Sequence, residues 1–158
     1  MSFDKLPFRR ALGRFATGVC VITANPPGFR PFGLTVNSFA SLSLTPPLVL
    51  WSLQKNSDTA EAFRVATQYC VNVLAAEQQA LSARFARKGA HELADGEWAS
   101  GSAGLPVLAG SLASFECDIE ARHDGGDHII LVGRVLALRS AANGRPVLFY
   151  EGGYRELR

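Results

Sequence analysis

A chain of 158 residues is long enough to bury a core without metal or disulfide staples, so a single domain over residues 1–158 is expected. Sixteen basic against fourteen acidic residues leave a net charge of +2 with no stretch that gathers lysine and arginine. That disfavours a nucleic-acid partner, yet suits a site receiving one or two phosphate groups. A hydrophobic share of 47% against 19% charged residues offers more apolar surface than a monomer normally hides, so a homodimer is expected.

In chain order, Phe8, Ala11, Leu12 and Phe15 fall at helical spacing and predict an amphipathic helix over residues 4–15, with Gly18 beyond it. The β-branched run GVCVITA, the turn NPPGFRP and the residues that follow predict strand, turn and strand over 19–38. Thr45-Pro46-Pro47 cannot continue a central strand, and the apolar run after it, 48–54, reads as a buried one. Asp58 and Glu61 have the spacing of a capping box, which predicts a short helix over 59–66 before a strand at 69–74. Leu81 and Phe85, four apart, place a second helix over 78–87. Between 88 and 104 the composition turns to Gly, Ala, Ser, His and Asp around a lone Trp98, predicting a long, lid-like surface excursion without regular structure.

Phe115, Cys117, Ile119 and Ala121 alternate with Glu116, Asp118, Glu120 and Arg122, the period of a strand with one wet face. After Asp124-Gly125-Gly126, the run HIILVGRVLALR returns as a strand apolar on both faces, and the tail offers one last short strand before Tyr154. Six or more strands with a few short helices predict a mainly β fold, a Greek-key-like antiparallel barrel whose closure hides its strand edges.

Several chemistries are excluded. There is no G-x-G-x-x-G and no phosphate-loop motif. His91, His123 and His128 lack ligand spacing with any cysteine or carboxylate pair, so no metal is expected. Cys20, Cys70 and Cys117 are scattered in apolar runs and read as small buried hydrophobes. The amino end lacks an export signal and no eighteen consecutive residues are apolar, so a cytoplasmic protein without a membrane partner is expected. What remains is Ser, Thr and Asn near strand ends, and on the residues alone Asn37, Ser38 and Ser41 read as groups that satisfy local backbone.

Four stretches add to this reading: FRRALGRFATGVCVIT, GLTVNSFASLSLTPPLVLWSLQKNSDT, YCVNVLAAEQQALSARFA, and GDHIILVGRV followed by PVLFYEGGY. Together, from about Phe8 to Tyr154, they resemble the short-chain flavin reductase family, the reductase components of two-component flavin-dependent monooxygenases. The resemblance implies an FMN-binding split β-barrel, dimeric, with the flavin in a groove near the subunit interface. It implies that Thr35, Val36, Asn37, Ser38 and Ser41 line the isoalloxazine and ribityl chain, and that Ser52, Gln54, Lys55, Asn56 and Ser57 form the next flavin-contacting loop. By the same resemblance Phe85, Ala86 and Arg87 close over the phosphate end, His128 lies where the nicotinamide stacks, and Tyr154 is a late aromatic of that pocket. The implied activity is hydride transfer from NADH or NADPH to FMN or FAD, with reduced flavin supplied to a separate monooxygenase. The alternative is a barrel that binds flavin without reductase turnover, or holds FMN tightly for another oxidation.

Overall fold

Short apolar runs punctuated by glycine and proline leave strands as the dominant element. The computed structural model describes residues 2–158 and has, among them, twelve strands, three short α-helices and one turn of 3-10 helix. Helix α1 (Lys5–Leu12) is shorter than the predicted 4–15: Asp4 caps it, accepting from the Leu6 N–H at 3.2 Å, and Gly13 closes it. None of its residues is buried.

Strands β1 (Thr17–Gly18), β2 (Cys20–Ala24) and β3 (Phe32–Val36) follow, then β4 (Ala40–Leu44) and β5 (Pro47–Gln54). Strand β4 is absent from the sequence reading, because its residues are mostly exposed and carry no buried stripe. Helix α2 (Ala60–Val65) falls inside the predicted span, but the capping box does not form: Thr59 is the N-cap and makes no side-chain capping bond. The Asp58 carboxylate is drawn instead to the Gly89 N–H and to His91, partners thirty-one and thirty-three residues away. Strand β6 (Gln68–Val73) and helix α3 (Gln79–Phe85) lie close to their expected positions.

The predicted excursion at 88–104 is corrected by the structure. Strand β7 (Trp98–Ser100) pairs with β8 (Pro106–Leu108), and the segment is fastened to α3 by the Arg84–Glu97 ion pair, with Arg84 Nη2 donating to Glu97 Oε2 at 2.7 Å. Arg84 and Glu97 are thirteen residues apart, and no local pattern announces their pairing. The hairpin also covers the first half of β9 (Ala113–Gly125), where Glu116, expected on the wet face, is only 4% exposed. Its Oε2 accepts from the N–H groups of Ala103 and Leu105 at 3.0 and 3.1 Å, which satisfies that buried oxygen.

Strand β10 (His128–Ser140) completes the main sheet, and the tail forms a hairpin, β11 (Leu148–Tyr150) and β12 (Gly153–Arg155), where one strand was expected. The seven-stranded sheet runs β3-β2-β6-β9-β10-β5-β4, each neighbour antiparallel. Its two edges, β3 and β4, are joined by residues 37–39 alone. That link spans at most about 14 Å, so the sheet must curl until its edges face each other. No ladder joins them among the described residues, and the barrel is therefore split along this seam.

Inside the barrel Trp51, fully buried, packs edge-on against Phe63 of α2 and Tyr69 at centroid distances of 5.0 and 5.7 Å. A second cluster of Val19, Val21, Leu74, Phe85, Leu93 and Leu108 covers the other face of β2, which explains why all five residues of β2 are buried. The three cysteines are buried and free, and desolvation pushes each thiol up to about 12, which leaves them unreactive fillers.

Candidate functional site

The seam leaves a groove of about 290 Å³. One wall is β3 and its exit, Leu34, Thr35, Val36, Asn37 and Ser38; the other is the end of β5 and its following loop, Ser52, Gln54 and Ser57, with His128 beside them. The period of two puts Ser52 and Gln54 on one face of β5, and the β5–β10 register sets His128 directly opposite Gln54.

The walls are clipped together at Ser38. Its Oγ accepts from the Ser52 N–H at 3.0 Å and lies 3.2 Å from the Ser52 carbonyl, to which it donates. Thr35 Oγ1 donates to the carbonyl of Ser82 at 2.7 Å, which leaves its backbone as the polar group offered to the groove. Gly33 sends its N–H away from β2, to the His91 carbonyl, so by the alternation of an antiparallel ladder Thr35, two residues on, also points its N–H and C=O off the sheet edge. His128 donates from Nδ1 to Asp127 Oδ1 at 2.7 Å, which fixes its ring. That hydrogen bond, then the His128 charge, hold the exposed Asp127 carboxyl below its ordinary range, and Lys5 of α1 adds to the effect.

Thr35, Val36, Asn37, Ser38, Ser52, Gln54, Ser57 and His128 thus come together, while the other predicted residues lie elsewhere in the chain. Lys55 turns to the opposite face of β5, where it pairs with Asp124 and borders a separate apolar pocket with Leu53 and Ile129. Asn56 is exposed in the turn, and Ser41 is exposed on β4, opposite Val49. Ala86 and Arg87 are exposed just past α3. Phe85 is wholly buried in the second cluster, against the one residue of β3 that lacks a side chain: a β-carbon on Gly33 would lie 3.3 Å from the Phe85 ring. Tyr154 stands behind the β3 wall, its hydroxyl 2.7 Å from Ser82 Oγ and its ring edge-on to Phe149. Leu34 was not foreseen, since an isolated leucine in a strand carries no chemical signal of a site.

The groove is small and lined by polar groups. It is close to the lower end of small-molecule sites in volume, and hydroxyl, amide, imidazole and backbone groups ring it without a paired nucleophile and base. A family model described as the flavin reductase like domain matches residues 12–158. The chain belongs to this family.

Relatives within the flavin reductase like family are similar over nearly the whole chain. The FMN reductase (NADH) SmoA of Agrobacterium fabrum is 51% identical over 148 residues, which cover 93% of this chain and 83% of SmoA. The reductase subunit HsaB of a flavin-dependent monooxygenase of Rhodococcus jostii is 44% identical over 153 residues, covering 97% and 78%. Among solved structures, the NADH:FAD oxidoreductase SgcE6 of Streptomyces globisporus, in complex with NAD and FAD fragments, superposes with a TM-score of 0.91 at 35% identity, covering 98% of this chain and 93% of the other. The mainly β split barrel is the fold these flavin reductases share with this chain.

Proposed function

We propose that this protein is a cytoplasmic flavin reductase that oxidises NADH with free FMN or FAD and supplies the reduced flavin to a separate monooxygenase. The observation that carries this reading is the seam groove, which assembles residues of both predicted flavin segments with His128. When bound, a flavin supplies the electron-accepting ring and NADH the hydride, so the chain needs no nucleophile of its own. Its residues hold and orient: the outward backbone groups of Thr35 and the Gln54 amide offer hydrogen bonds to a ring edge, and the Ser38–Ser52 clip keeps the walls at a fixed separation. His128, anchored by Asp127, presents a ring at the side where a second planar group would stack.

The groove is open on one side, and we propose that a second copy of the chain completes it. Residues Leu48, Leu50 and Ile130 continue the groove's face along β5 and β10, half-exposed in the single chain, and Leu42, Leu44, Leu136 and Leu138 are exposed beyond them. Apolar surface of this extent is stabilised by burial between subunits.

Turnover is expected to depend on added flavin. With purified protein and NADH, absorbance of the reduced nicotinamide should fall only when FMN or FAD is supplied; a yellow protein that oxidises no NADH supports the flavin-binding alternative and removes the reductase reading. For His128→Ala, stopped-flow mixing should show flavin reduction slowed by about tenfold with flavin affinity changed by less than about twofold. An unaltered rate takes His128 out of the nicotinamide position.

A further inference from the structure

Ser38 and Ser52 fasten the groove walls at one end, and a second fastening stands at the other end, built from residues outside the groove. Gly33, the residue before Leu34, lies on the edge strand β3. Its N–H donates to the His91 carbonyl at 2.8 Å, and its own carbonyl accepts from His91 Nδ1 at 2.9 Å. The other ring nitrogen of His91, Nε2, lies 2.7 Å from Asp58 Oδ1. Asp58 directly follows Ser57, on the opposite wall, and its second oxygen accepts from the Gly89 N–H at 2.6 Å. One imidazole, its side chain only 12% exposed, therefore links β3 to the loop that carries Ser57, beside the backbone bonds that join residues 31–33 to residues 91–93.

Both ring nitrogens face acceptors, a carbonyl and a carboxylate. Burial works against the Asp58 charge, but the Gly89 N–H and the His91 charge outweigh it and hold the carboxyl below its ordinary range. Nearby Arg30 and Glu92 pair with each other at 2.7 Å and leave the bridge intact. An edge strand has ladder partners on one side only, so what it meets on its free side decides where it sits.

We propose that His91 and Asp58 are positioning residues that set the separation of the groove walls and, resting on the reading that this groove takes flavin, the affinity for the flavin ring. Neither lines the groove. A purely structural role predicts loss of folded protein, whereas wall spacing predicts a change in flavin KM at nearly constant kcat.

The test is steady-state NADH oxidation by the full chain, wild type against His91→Ala and Asp58→Asn, at varied FMN. Flavin KM should rise about tenfold in His91→Ala, with kcat at saturating FMN within about twofold of wild type. A cavity of about 180 Å³ lined by His91, Asp58 and Phe32 opens beside the ring, which gives free imidazole a route to the vacated space. Added imidazole should therefore lower the flavin KM of His91→Ala and leave that of Asp58→Asn where it was. Where His91→Ala fails to fold, Asp58→Asn decides: a raised flavin KM at an unchanged melting temperature supports the bridge, and an unchanged KM overturns it. An active wild type whose folded variants keep the same flavin KM overturns this inference alone; a wild type that oxidises no NADH overturns the reading of the groove and this inference with it.

Discussion

Ser38→Trp is expected to lower flavin affinity by more than about 100-fold while the association of subunits is unchanged. Two effects add. The indole fills a groove of about 290 Å³ from its inner wall, and the hydroxyl that clips Ser38 to both backbone groups of Ser52 is lost. Ser38→Ala separates them, since it removes the clip and adds no bulk. Fluorescence titration of flavin measures the affinity, and gel filtration reports the association. A Ser38→Trp protein that binds flavin as wild type does would move the site away from the seam.

Gly133→Val is expected to destabilise the fold by about 3 kcal/mol or more, a fall in melting temperature of roughly 10 °C. Gly133 is buried in β10, where a β-carbon would lie 2.7 Å from Tyr69 Cζ and 2.9 Å from Cys117 Cβ. Tyr69 is fully buried against Trp51, so its ring cannot swing aside into solvent. The ladder itself shifts register between Val132 and Gly133, which marks the place where the strand bends around that ring. Calorimetry or a thermal melt checks the shift, and a variant as stable as wild type would show that the barrel interior has room that the packing does not display.

The two substitutions act on different levels of the structure. Gly133 lies where the barrel wall meets its core, and Ser38 lies where the wall stops. Ser38→Trp is read as affinity and Gly133→Val as stability, and a stable Ser38→Trp barrel is the condition for reading its lost affinity.

Much of the fold was legible because strands with one buried face show it in their period. Cys117, Ile119 and Ala121 alternate with Asp118, Glu120 and Arg122 as predicted, and the apolar run of β5 carries Trp51 into the core as a packed ring. The groove was legible by resemblance in its central part, Thr35 to Ser38 and Ser52 to Ser57. Within those stretches the structure sorts residues that the sequence cannot, because Lys55 and Ser57 are two residues apart yet serve opposite sides of the wall.

The pattern of the sequence by itself determined strand periodicity, the positions of the main turns, the buried cysteines and the absence of a nucleotide-phosphate motif. These depend on neighbours a few residues away, where side-chain type and backbone geometry act directly. Only the tertiary structure decided that Phe85 is core, that Glu116 lies under a hairpin, that residues 88–104 are fastened in place, and that Asp58 reaches His91 in preference to its own helix. Each of these depends on a partner supplied by another element of the fold. A buried polar group takes the partner that satisfies it best, whatever the distance along the chain.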